Sequence, residues 1–196
     1  MTLWQNFWVL AVDSLMDKLF ARLPERRSIL GVYATAVFLA YGWTLLASFW
    51  KVPSWMFFMR ISDILSVYAY SFVIDFAESL LLLGMMLLAG VLLPKRWWNA
   101  QFTSKGVLWI LVLTGSMMLR LYTNRSPDRW ESFVSEQGMW WGYTLLLALA
   151  LSFLVSRIPL LRRGLESLAD RLVAFLYIYL PLTVIAIVVV FARIVF

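Results

Sequence analysis

The stretch Ile64–Leu93 reads ILSVYAYSFVIDFAESLLLLGMMLLAGVLL, and Pro94-Lys95-Arg96 follows it. A helix needs about 20 consecutive apolar residues to cross a bilayer, because each residue adds ~1.5 Å and the hydrocarbon core is ~30 Å thick. This stretch is longer than that minimum, and basic residues beside an apolar run are typical of a membrane boundary. It therefore predicts a membrane-spanning helix, with which the rest of the chain must be compatible.

The composition of the whole chain agrees with a membrane protein. Of its 196 residues 63% are hydrophobic and 14% are charged, whereas soluble domains have roughly 45–50% apolar and ~25% charged residues. The chain contains no cysteine and no histidine. Disulfides, thiol chemistry and histidine-ligated zinc or haem are therefore excluded, and so is the commonest general base. We expect no cofactor and no metal site.

Four more apolar stretches accompany the first. We predict one polytopic membrane domain over residues 1–196, of the all-α class, with five spans at about 28–50, 64–93, 106–122, 139–156 and 172–196. Between the spans, residues 51–63 and 157–171 are predicted to be loops. A short surface helix is predicted to begin after Ser126-Pro127, where a capping residue precedes a proline.

An amphipathic segment precedes the first span. In residues 2–23 the apolar side chains, such as Trp4, Phe7, Trp8 and Ala11, recur at steps of three and four residues, and polar side chains fall mostly on the other side. This pattern is typical of an interfacial helix that lies in the headgroup plane. Two placements stay open, namely free anchoring in the interface and packing on the transmembrane bundle of the same chain.

Two stripes of small residues are predicted to be helix-packing surfaces. Span one carries Ala36, Ala40, Thr44 and Ser48, and span four carries Thr144, Ala148, Ser152 and Ser156, each set at four-residue spacing. Small residues let helix backbones approach closely in lipid. We therefore predict that spans one and four pack against each other in antiparallel orientation.

The basic residues predict the orientation. Eleven of the 17 lie on the side of the amino terminus and of the second and fourth loops. The six on the other side are Lys51, Arg60, Arg120, Arg125, Arg129 and Arg193. Because positive loops stay in the cytoplasm, we predict a multi-pass protein of the plasma (inner) membrane with its amino terminus in the cytoplasm and Phe196 outside. The basic residues flank apolar spans, so we expect no nucleic-acid partner.

Ionisable residues inside an apolar span form the predicted site. Asp75 and Glu78 are three residues apart and therefore share one helical face. An ionisable group within a span is a functional hypothesis by default. Arg120 and Arg193 are predicted to reach the same outer layer of the membrane. Two hypotheses follow, namely a structural ion pair between Arg120 and one of the two carboxylates, or a cation or proton site.

The functional prediction is a non-catalytic one. The sequence has no nucleophile–base pair, glycine-rich phosphate loop or metal-ligand spacing, so we predict no catalytic residue and no enzyme. Met85, Met86, Met117 and Met118 are interpreted as core residues. We expect a subunit, scaffold or lipid- or partner-binding component of a membrane assembly, whose partners are membrane lipids and other membrane subunits or a second copy. The alternative is a small oligomeric ion or proton channel or carrier that uses Asp75 and Glu78.

Overall fold

The structure is a computed structural model that describes residues 23–94, 98–123 and 130–195, with side chains for all of these except 130–135. Within these ranges the regular secondary structure consists of helices, without a strand. Its elements are α1 (Arg26–Phe49), α2 (Val52–Phe58), α3 (Ile61–Leu92), a 3-10 turn (Asn99–Gln101), α4 (Phe102–Thr123), α5 (Trp130–Arg157) and α6 (Pro159–Val195).

The all-α prediction is therefore confirmed for the described part of the chain. Five helices there, α1, α3, α4, α5 and α6, are long and apolar enough to cross a membrane. They correspond in order to the five predicted spans. The predicted amphipathic helix over residues 2–23 lies, except for Leu23, outside the described residues.

Prolines account for several helix boundaries. Leu93, which precedes Pro94, is extended with ψ of 155°, because the proline ring disfavours the helical conformation of the residue before it. Pro159 is the first residue of α6, a position where the missing N–H is not needed. Pro181 lies inside α6 and does not end it.

Helix extends into three segments that were predicted to lie between the spans, which corrects the sequence-based boundaries. Residues 157–171 were predicted to be a loop, but α6 includes all but the first two of them and has 37 residues, which is ~55 Å at ~1.5 Å each. The predicted short surface helix after Ser126-Pro127 is continuous with span four from Trp130 onward. Residues 51–63 contain α2 and the start of α3. Hydropathy measures the segment inside hydrocarbon, whereas the backbone stays helical beyond it.

Contacts at the helix ends show that consecutive long helices run in opposite directions. Arg27 at the start of α1 pairs with Asp170, in the amino-terminal third of α6, at 3.2 Å, so the amino-terminal parts of these two helices lie at the same end. Arg193 at the end of α6 pairs with Asp63 at the start of α3, at 3.0 Å. Helices α4 and α5 are antiparallel as well, because Trp109 binds Ser152 and Ser116 binds Thr144, so the bundle is an up-and-down arrangement.

Helix α1 is central and contacts α3, α4 and α6. Two glycines mark its closest approaches. A Cβ added at Gly106 of α4 would stand 2.8 Å from Val32 Cγ2, and one added at Gly31 would stand 3.1 Å from Ala169 Cβ of α6. Both distances are shorter than ordinary van der Waals contact, so the α1–α4 and α1–α6 crossings depend on the absence of these side chains.

The two small-residue stripes do not pack against each other, so that prediction is wrong. The stripe on α1 faces α3, where Thr44 donates to Asp75 Oδ1 at 2.8 Å and Ser48 accepts from the Tyr68 hydroxyl at 2.9 Å. The stripe on α5 faces α4. Its contacts are Thr144 with Ser116, Ser152 with Trp109 and Ser156 with Gln101. Hydroxyl groups in the α1 stripe bind the following long helix, and those in the α5 stripe bind the preceding one. This pairing outweighs stripe-to-stripe contact.

Candidate functional site

Helices α1, α3, α4 and α5 surround a cavity of about 870 Å³. At one end α3 lies against the start of α4, because a Cβ added at Gly90 would be 3.5 Å from Trp98 Cδ1 and 3.7 Å from Phe102 Cε2. We call this the tryptophan end, after Trp98 and Trp109, which line it. The opposite end, lined by Asp75 and Glu78, is called the acidic end.

The cavity opens sideways, towards the surface that would face lipid. Leu81 and Met85 of α3, and Met117 and Leu121 of α4, line it and are each 52–69% exposed. Large apolar side chains on the surface of a bundle with this composition are suited to hydrocarbon. The cavity is therefore accessible from the side of the bundle, between α3 and α4.

The wall formed by α3 changes character along its length. At the acidic end this wall consists of Ser71, Asp75 and Glu78. Their i, i+4, i+7 spacing places them on one helical face. The same face continues towards the tryptophan end with Leu82, Met85, Met86, Ala89 and Leu93. The cavity is thus polar at one end and apolar along the remainder of this wall.

The carboxylate of Asp75 is the buried charged group at the acidic end. Its side chain is only 5% exposed. Oδ1 accepts a hydrogen bond from Thr44 at 2.8 Å, whereas Oδ2 is buried and has no hydrogen-bond partner among the described residues. A buried polar atom without a partner costs about 1–3 kcal/mol, and more when it is charged. Asp75 therefore has unused capacity to accept a donor from inside the cavity.

Glu78 is the exposed member of the pair. It lines the cavity three residues after Asp75, and no ion pair involves it among the residues whose side chains are described. Two carboxylates at this spacing repel each other. A cation or a hydrogen-bond donor placed between them would reduce this repulsion.

The predicted ion pair between Arg120 and Asp75 or Glu78 is wrong. Arg120 instead binds Glu136 at 3.2 Å and lies over the Trp140 ring, 5.3 Å from its centroid. The cause is the length of α5, whose helical start places Glu136 beside the end of α4. The structure thus brings Asp75 and Glu78 together and places Arg120 in a separate contact.

Arg193 also has a partner of its own. Its guanidinium pairs with Asp63, at 3.0 Å, because α6 ends beside the start of α3. The four charged residues that were predicted to converge are therefore separated. Each arginine pairs with a carboxylate outside this set, and Asp75 and Glu78 lie together without an arginine.

The four methionines line the cavity together, a role that sequence reasoning missed. Met85, Met86, Met117 and Met118 all belong to its wall, although only Met86 is buried in the core. Methionine side chains are flexible and polarizable, so such a wall can adapt to ligands of different shape. The sequence carries no sign of this arrangement, because the wall is assembled from separate helices.

The lining groups limit the chemistry. The described residues contain no group of three or more histidine, cysteine, aspartate or glutamate side chains that could hold a metal ion. The polar lining groups away from the carboxylates are hydroxyls and indoles, and Thr114 Oγ1 is buried without a partner among the described residues. The arrangement is suited to binding a molecule with an apolar body and a donor at one end.

Comparison with known proteins gives no relative: no protein-family model, curated protein or solved structure matches this chain. The function is therefore argued from the geometry and chemistry of the cavity.

Proposed function

We propose that this chain is a non-catalytic multi-pass membrane protein that binds lipid or a membrane partner in its lateral cavity and acts as a component of a membrane assembly. The observation that carries the proposal is the cavity itself. Its volume of about 870 Å³ falls within the ~300–1,000 Å³ range of ligand pockets. Its side opening gives access from the bilayer and its lining is mostly apolar.

The distribution of basic residues supports one orientation of this protein in the plasma membrane. With 11 basic residues on the amino-terminal side and six on the other, the amino terminus lies in the cytoplasm and the carboxyl terminus outside. Thr44, the partner of Asp75, is five residues before the end of α1, which is ~7.5 Å along the helix axis. In this orientation the acidic end of the cavity belongs to the outer half of the membrane.

Retention of lipid by the purified protein tests the proposal. Ala89 lines the cavity, so Ala89→Phe fills part of it, whereas Ala47→Phe adds the same volume at an exposed position of α1 outside the lining. Native mass spectrometry of the detergent-solubilised particle should show bound lipid or a partner on the wild type and on Ala47→Phe, and markedly less on Ala89→Phe. Equal retention by all three proteins would contradict the proposal.

A small channel or carrier remains the second candidate, because Asp75 Oδ2 is buried without a partner in the described part of the chain. Beyond Glu78, however, the α3 wall is apolar from Leu81 to Leu93, which is ~18 Å of helix. A conducting path would therefore need polar groups from another subunit. Proton or cation flux into liposomes that Asp75→Asn abolishes would favour this candidate over the first.

A further inference from the structure

We propose that the ligand of the cavity is an amphiphile with a primary ammonium group, which lies between Asp75 and Glu78, and with a hydrocarbon chain that lies along α3 towards Trp98. This inference rests on the proposed binding function and specifies its ligand class. Two independent observations support it, namely the unsatisfied carboxylate pair and the polarity of the wall.

The carboxylate pair favours a cation with several donors. Asp75 uses one oxygen for Thr44 and leaves the other buried and unpartnered among the described residues. Glu78 lies on the same face of α3 and lines the same cavity. An ammonium group carries up to three N–H donors and a positive charge, so it can bind both carboxylates at once. An uncharged headgroup would leave the carboxylates' repulsion in place, and an anionic headgroup would increase it.

The length of the apolar wall favours a hydrocarbon chain. From Asp75 to Leu93 the α3 wall extends over 18 residues, which is ~27 Å. This exceeds half of the ~30 Å hydrocarbon core, so a chain as long as one leaflet is deep fits between the acidic end and the tryptophan end. The flexible methionines on both sides can close around such a chain.

The residues at the opening favour a lipid over a partner helix. Helices associate in membranes where small residues let their backbones approach closely. The opening is instead flanked by Leu81, Met85, Met117 and Leu121, which are large and exposed. These side chains would hold a partner backbone away from the carboxylates, whereas a single chain can pass between them.

Tryptophan fluorescence provides the test, because Trp43, Trp98, Trp109 and Trp141 line the cavity. The full-length protein in phosphatidylcholine nanodiscs is titrated with three probes that share one brominated octadecyl chain. Their headgroups are a primary ammonium, an uncharged glucoside and a sulfate. Bromine quenches a tryptophan that it contacts, and the chain also has tryptophans outside the cavity, such as the exposed Trp50. The quenching that Ala89→Phe removes is therefore taken as the cavity signal, and the mole fraction of probe at its half-maximum measures binding.

The ammonium probe should reach half-quenching at a mole fraction at least about tenfold below that of the glucoside, given the usual strength of hydrogen bonds to buried charged groups. The sulfate probe should bind most weakly. In Asp75→Asn/Glu78→Gln the preference for ammonium should fall to about twofold or less. This variant keeps an oxygen that can accept from Thr44, so the α1–α3 contact is retained.

A matched control separates the site from the overall charge of the surface. Glu166→Gln/Asp170→Asn removes two carboxylates from α6, where they pair with Arg162 and Arg27 outside the cavity. This control should keep the full preference for ammonium. A preference that is equally reduced in both double variants would overturn the proposal, and so would equal binding of ammonium and glucoside by the wild type.

The failure of the headgroup inference is distinguishable from the failure of the proposed function. Equal quenching by ammonium and glucoside that Ala89→Phe abolishes would retain lipid binding and refute the ammonium preference. If Ala89→Phe changed neither the quenching by any probe nor the lipid retained by the purified protein, both proposals would be refuted. A photocrosslink from Leu81 to a second polypeptide, with no quenching that Ala89→Phe removes, would assign the cavity to a protein partner and refute the lipid.

Discussion

The crossing of α1 and α4 at Gly106 allows a quantitative prediction of stability. A Cβ at this position would stand 2.8 Å from Cγ2 and 3.2 Å from Cγ1 of Val32, which is fully buried. Val32 is branched at Cβ, so it cannot withdraw both methyl groups by rotating. We expect Gly106→Ala to lower the free energy of unfolding by about 1–3 kcal/mol, the usual cost of overpacking.

Two further variants make this prediction specific. Gly115 lies in the same helix, and a Cβ there would meet nothing within 4 Å. Gly115→Ala should therefore stabilise the protein by up to about 1 kcal/mol through helix propensity alone. Val32→Ala combined with Gly106→Ala should be milder than the sum of the single changes, with a coupling of about 0.5–3 kcal/mol.

The assay is the thermal or denaturant unfolding of the purified protein in one detergent, followed by circular dichroism for all variants. The reasoning would be refuted if Gly106→Ala and Gly115→Ala changed the free energy of unfolding by the same amount. It would mean that α1 and α4 do not meet at Val32, and the inner wall of the cavity would then have to be built differently.

Two other predictions concern the orientation of the protein in the membrane and the hydrogen bonds of Tyr41. The chain has no cysteine, so a membrane-impermeant thiol reagent applied from outside should modify Ser54→Cys and spare Ser167→Cys, both at exposed positions; the reverse pattern would contradict the orientation. The hydroxyl of Tyr41 is buried and bonds to the carbonyl of Phe72 and to Thr183, so Tyr41→Phe should destabilise the fold by about 1–3 kcal/mol. Tyr177→Phe, at a position 81% exposed, should leave the unfolding temperature unchanged.

The sequence predicted the number and order of the long helices because hydropathy and length are properties of single segments. It did not predict where α5 and α6 begin, since helix continues past the apolar run into the polar region. This error also affected the prediction of the candidate site. Glu136 lies before the predicted fourth span at 139–156, so its position beside Arg120 could not be foreseen, and the arginine was paired with the wrong carboxylate.

The candidate site was likewise predictable only where it depends on a single segment of sequence. Asp75 and Glu78 were found because charges inside an apolar span are conspicuous in one segment of sequence. The contact of Asp75 with Thr44 depends on which helix lies next to α3, and that is a property of the packed bundle. The cavity itself is a gap between helices, so no local pattern encodes it, and the methionines around it were interpreted as ordinary core residues.

The most direct measurement of the central claim is photocrosslinking of a lipid with a reactive group on its chain, followed by mapping of the labelled residues. Leu82 and Trp109 line the cavity and are partly buried, so a lipid in the cavity contacts them more readily than lipid around the outside of the bundle does. A lipid bound in the cavity should label these two residues in the wild type and not in Ala89→Phe. Labelling confined to outer-surface positions such as Val188, which is 62% exposed, would contradict a lipid-binding cavity.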